Sequence, residues 1–194
     1  MSNTSFIQDF FIYIGRFRQF SRQDVLVYVA WIGMMMGLFV AVTGFLAMGS
    51  FHGVQWPGSV PLIPIGIFIF VVAIAIDTIG HRTIYKDELA KGEALVHHVT
   101  IAAGISSVLC MILAYQHRDL ARIPAYVLSF LSLFYSIIDE AMHWKRYFAL
   151  KSDRVEMWSH FFILVGHLIM TVGWLSWMET GYGGVAQALA SSGS

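Results

Sequence analysis

Residues 25–49 contain no Asp, Glu, Lys, Arg or His. A helix of that length rises ~1.5 Å per residue and crosses the ~30 Å hydrocarbon of a bilayer. Four more apolar runs follow, over 61–85, 94–115, 121–148 and from the N-cap candidate Ser152 to 178. Their polar side chains gather near one end of each run. Backbone inside a bilayer must satisfy its own hydrogen bonds, and runs of this length do so as helices. The chain is 57% hydrophobic and 12% charged, roughly half the ~25% charged fraction of a soluble domain. The expected fold is therefore all-α, a polytopic membrane helical bundle of about five transmembrane helices.

Residues 1–24 form an N-terminal amphipathic segment, 25–178 the transmembrane domain and 179–194 a Gly-, Ala- and Ser-rich tail. Phe6, Phe10, Tyr13, Phe17 and Phe20 recur at 4-3-4-3 spacing, with Arg16, Arg18 and Arg22 near the end. That pattern suits a helix lying along the lipid interface. Ser21 and Asp24 match a capping box ahead of the first apolar run. Gly33 and Gly37 form a GxxxG, which admits a second helix at close range. A net charge of zero gives no basic surface for nucleic acid. The single cysteine, Cys110, excludes an internal disulfide and a Cys-based metal site.

Four acid–histidine pairs stand at i,i+4: Asp77/His81, Glu93/His97, Asp139/His143 and Glu156/His160. Each pair shares one helix face. From 12 acids and 8 histidines in 194 residues, chance supplies about half of one such pair. The runs alternate in direction, so the end of the second, the start of the third, the end of the fourth and the start of the fifth meet on one side. All four pairs lie there. An ionised side chain within a membrane helix costs ~2.5–3.5 kcal/mol on insertion scales and marks a partner or a function. Imidazole suits copper, iron and zinc, and carboxylates supply neutralising charge. The candidate ligands are Asp77, His81, His97, Asp139, His143 and His160, as one site or two. Glu93, His98, Glu140, Glu156 and His167 are further ligands or supports. A solvated helix-end interface, with acids paired to Arg82, Lys86, Lys91, Lys145, Arg146, Lys151 or Arg154, explains any one pair but not four that converge.

The stretch DTIGHRTIYKD (77–87) followed by His97 resembles the C subunit of copper membrane monooxygenases, the particulate methane and ammonia monooxygenase family. There an Asp-x-x-x-His ends one helix and a later His opens the next. Asp77, His81 and His97 match those roles. IIDEAMHW (137–144) is similar to the family's Asn-Glu-x-x-His segment, with Asp139 at the Asn position and His160 as the following His. The resemblance spans residues 61–177. Its spacings are longer than the family's, and KDELAKGEALV replaces the usual Asp, Phe, Thr and Pro stretch. It implies a copper site, dioxygen reduction with electrons from a quinol or similar donor, and hydroxylation of a small apolar substrate. It also implies an oligomer with other membrane subunits.

Two other classes fit the same residues. A di-iron membrane hydroxylase or desaturase would use the four carboxylates, with Glu140 and His143 as a Glu-x-x-His. A non-catalytic b-type haem or structural subunit would use axial histidines such as His98 and His167. Placement in the cell (inner) membrane follows from the apolar runs. Ten of the 12 Lys and Arg lie on the metal side and only Arg118 and Arg122 on the other. The positive-inside rule therefore puts the metal side in the cytoplasm, whereas the family resemblance puts it towards the periplasm.

Overall fold

The computed structural model describes residues 5–84, 91–150 and 154–191. Lys86, Lys151 and the Ser152 cap lie outside the described residues. Five helices are long and apolar enough to cross a membrane. In chain order the elements are α1 (Phe6–Gly15), a short 3-10 turn (Arg16–Gln19), α2 (Arg22–Phe51), α3 (Leu62–Thr83), α4 (Lys91–Leu113), α5 (Arg118–Leu150), α6 (Arg154–Glu179) and α7 (Val185–Ser191). Among the described residues there is no strand. The chain has the architecture of a multi-pass membrane helical protein. The five long helices cover the five apolar runs, with ends shifted by a few residues.

Local chemistry fixes the helix starts. Ser21 and Asp24 form the reciprocal capping box at α2: Asp24 N–H donates to Ser21 Oγ (3.2 Å) and Ser21 N–H to Asp24 Oδ2 (3.1 Å). Ser5 and Gln8 do the same for α1. The aromatic stripe of the N-terminal segment turns towards protein. Tyr13 is fully buried, and Phe10 and Phe20 pack beside it with Ile79 and Val155. Phe6 and Phe17 of the stripe remain exposed, as do Ile7, Phe11 and Ile12 outside it. An ion pair between Arg154 and Asp9 ties α1 to the start of α6.

The helices are ordered α2–α3–α6–α5–α4 around the bundle: α3 packs on α6, α4 on α5, α5 on α6, and α2 on α3. Two glycines set the closest crossing. A Cβ on Gly166 would lie 2.5 Å from Phe70 N and 2.8 Å from Gly66 O. Only hydrogen at both positions lets the backbones of α3 and α6 approach this way. Gly33 and Gly37 have nothing of this chain within 4 Å; their face of α2 is exposed.

At the end away from the acid–histidine pairs, Arg118 and Arg122 bond Glu179 (3.1 and 2.8 Å). The tail is built in. Tyr182 Oη donates to the Met111 carbonyl, one of the orphan acceptors at the end of α4. Burial pushes that hydroxyl up to about 12, so it remains a donor at neutral pH. α7 packs on α2 through buried Val185 and Ala188.

Gly166→Ala should destabilise the protein by about 1–3 kcal/mol, because the overpacked atoms are backbone and cannot turn aside. Gly33→Ala should change stability by no more than about 0.5 kcal/mol. Thermal unfolding of both variants in one membrane mimic checks the contrast.

Candidate metal centre

Four helix ends carry the polar cluster: the end of α3 (Asp77, His81), the start of α4 (His97), the end of α5 (Asp139, Glu140, His143) and the start of α6 (Glu156, His160). All are buried except His81 and His97, which are part-buried. Their order around the bundle is why i,i+4 pairs from separate helices converge.

Asp139 is the hub. Its Oδ2 lies 3.1 Å from His97 Nδ1 and 3.4 Å from His160 Nε2. Asp77 Oδ2 lies 3.3 Å from His81 Nε2. His97 therefore joins Asp139 rather than Asp77, although the His81 and His97 rings are only 5.5 Å apart. The two expected ligand sets merge into one cluster. Two groups have ligand atoms close enough for one ion: His81, His143 and Glu156, and Asp139, His143 and His160. They share His143.

The outer faces of two imidazoles are held. His143 Nδ1–H donates to the Asp139 carbonyl one turn back (2.9 Å). His160 Nδ1–H donates to Glu140 Oε2 (2.6 Å), and Trp144 Nε1–H donates to the other Glu140 oxygen (2.5 Å). With Nδ1 as donor, Nε2 of each neutral ring carries a lone pair. Those lone pairs face carboxylates: His160 Nε2 towards Asp139 Oδ2, and His143 Nε2 towards Glu156 Oε1 at 3.6 Å. Two acceptors so placed need a cation between them, a proton on the ring or a metal ion. Anchoring of the remote ring nitrogen by a carboxylate or carbonyl is how metal-binding histidines are oriented. The two rings stack with centroids 3.6 Å apart.

The donor set fits a metal by a second observation. Asp77 Oδ1 and Asp139 Oδ1 are buried and make no hydrogen bond among the described residues. Neither carboxylate pairs with Lys or Arg there. Arg82 is drawn to Asp24 (3.4 Å) and Arg146 to Glu156 (2.9 Å). Among the described residues no lysine stands beside Asp77 or Asp139 as a solvated interface would place it. Tyr13 closes the Glu156 end, since a Cβ on Gly80 would meet its hydroxyl and approach Glu156 Cγ at 3.6 Å.

The remaining candidates divide. Glu140 is a support that fixes His160. Glu93 stands in the first turn of α4, with its side chain outside the described residues. His98 is exposed and does not line the cavity described next. His167 is buried deeper, with Nε2 3.4 Å from Ser132 Oγ and Nδ1 3.4 Å from Ser136 Oγ. Sequence reading gave no role to Trp144, Ser132 or Ser136; it placed Tyr13 in the interfacial stripe and named Arg146 among the cations that pair with the helix-end acids, as it does with Glu156.

A cavity of about 700 Å³ runs from the cluster into the bundle. Asp77, His81, Arg82, His97, Asp139 and His160 line its polar head, and mainly apolar residues of α2, α3, α4 and α6 line the rest, together with Thr100, Ser132, Ser136 and His167. Comparison with known protein families, curated proteins and solved structures returned no match.

Arg146→Met leaves buried Glu156 without its cation and should destabilise the metal-free protein by about 3–5 kcal/mol. Adding Glu156→Met to that variant should restore most of the loss. Thermal unfolding of the single and double variants measures it.

Proposed function

We propose that this chain is the membrane-embedded, metal-binding subunit of a copper-dependent, monooxygenase-like oxidoreductase that hydroxylates an apolar substrate. The observation that carries the reading is the pair of anchored imidazoles. Nε2 of His160 faces Asp139 at the polar head of the cavity, and Nε2 of His143, in the ring stacked on it, faces Glu156. In that reading His81, His143, His160, Asp139 and Glu156 hold the metal, with Asp77 and His97 completing the cluster. When bound, copper supplies one-electron redox chemistry and dioxygen activation, with electrons from a quinol or similar donor.

The protein's part is positional and electrostatic. Glu140 and the Asp139 carbonyl fix which ring nitrogen faces inward. Arg146 offsets one of the buried negative charges. The apolar cavity keeps water from the cluster and brings a C–H bond to its edge. Iron is the alternative ion, favoured by the four carboxylates Asp77, Asp139, Glu140 and Glu156. It is weakened by Glu140, both of whose oxygens are engaged by His160 and Trp144. An axial pair of His98 and His167 for haem is disfavoured by the exposure of His98.

Copper added at 100 times its Kd should stabilise the wild-type protein by about 2.7 kcal/mol. His143→Ala, which touches both ligand groups, should lose that response, and His98→Ala should keep it. A wild-type melting temperature unmoved by copper and by ferrous iron would contradict the proposal.

The charge count favours a cytoplasmic metal side, and oligomerisation with other membrane subunits follows from the same resemblance. In a Cys110→Ala background, Ser152→Cys should resist a membrane-impermeant thiol reagent in intact cells. Labelling there would reverse the orientation.

A further inference from the structure

The cavity has a second polar feature that the metal cluster does not use. Ser132, Ser136 and His167 are buried, at 0%, 6% and 4% exposure, and all three line the cavity. His167 is seven residues beyond His160 on α6, a rise of ~10 Å.

The hydrogen-bond directions follow from one another. Ser132 Oγ–H donates to the Thr100 carbonyl (3.1 Å). Its oxygen is then the acceptor for His167, so Nε2 carries the ring proton. Nδ1 is left as acceptor for Ser136 Oγ–H. Ser136 has then spent its proton, and its oxygen keeps acceptor capacity at the cavity wall. That capacity can take a hydroxyl donor from a molecule in the cavity.

The shape of the cavity says what carries that donor. Among the described residues α2 packs on α3 and α7 but makes no contact with α4. The gap between α2 and α4 is a lateral mouth, because Met34 on one side and Ile105 and Leu109 on the other both line the cavity and are exposed. On α3 the lining runs from Ile67 to His81, fourteen residues or ~21 Å. That length exceeds one leaflet's share of the ~30 Å hydrocarbon. The volume lies within the ~300–1,000 Å³ of sites that enclose a whole small molecule.

We propose that the cleft binds a long-chain aliphatic alcohol, which enters sideways from the bilayer and donates its hydroxyl proton to Ser136 Oγ. The binding claim needs no metal. Combined with the proposed oxidoreductase, on which this second step rests, it enlarges the substrate from a small apolar molecule to a lipid-length chain. Ser136 precedes Asp139 by three residues on α5, so the hydroxyl would sit about one helical turn, ~5 Å, from the cluster.

The test uses the full chain in lipid nanodiscs and a hexadecanol bearing a mid-chain diazirine, with labelled residues mapped by mass spectrometry. Labelling should fall on α2 and α4 at the mouth. Unlabelled hexadecanol should compete about fivefold better than hexadecane, the worth of one net hydrogen bond. Ser136→Ala should erase that preference while leaving hexadecane competition unchanged, and His167→Phe should do the same. His143→Ala should leave it within about twofold, which separates this site from the metal reading. Equal competition by alcohol and alkane in the wild type would overturn the proposal, as would a preference that survives Ser136→Ala. Absence of cleft labelling, the result if a helix of a second copy fills the cleft, would overturn it too.

Discussion

Burying the Asp139 carboxylate inside a membrane bundle is the constraint on which the rest of the cluster depends. Its desolvation costs several kcal/mol, and removal of its partners would leave that cost uncompensated. His97 from α4 and His160 from α6 approach one of its oxygens, and its own backbone carbonyl holds His143. Three helices are thereby tied to one residue. The price of a slight rotation of α5 would be an unpaired charge in hydrocarbon.

That arrangement requires the helices to be close, and the sequence supplies closeness elsewhere. Gly66 and Gly166 let α3 and α6 touch backbone to backbone towards the middle of the bundle. The crossing brings Asp77 and His81 alongside Glu156 and His160. Tyr13 fills the space over Gly80 and seals the same end. On the opposite side of the bundle, α2 and α4 stay apart and leave the cavity open. Tight packing on one flank and a gap on the other give one bundle a polar cluster and a cavity open beside it.

Much of this is written locally in the chain, and some of it is not. Uninterrupted apolar runs dictate five long helices, and alternation of direction puts the four acid–histidine pairs on one side. Which histidine meets which carboxylate is a property of helix crossings. Periodicity along one helix therefore gives Asp77 with His81 but cannot show His97 reaching Asp139. His97 and His98 are neighbours in sequence, yet successive helical residues point ~100° apart, so one joins the cluster and the other is exposed. The GxxxG of α2 is a visible motif with no partner among the described residues. Gly66 and Gly166 do the packing and are a hundred residues apart, with no local signature. Arg146 reads as one of several cations near the helix-end acids, and only the placement of α6 shows that it meets Glu156, at 2.9 Å. Ser132 and Ser136 acquire meaning only when α5 and α6 face a common cavity, where they flank His167.

The central claim is that a metal ion, not a set of ring protons, balances the charge between the anchored imidazoles and their carboxylates. Metal analysis combined with X-ray absorption on the protein purified from membranes without added chelator tests it most directly. The account predicts stoichiometric copper with imidazole nitrogens and carboxylate oxygens in its first shell, and loss of nitrogen scatterers in His160→Ala. Protein free of stoichiometric copper and iron, with the cluster intact and no metal uptake on reconstitution, would contradict it.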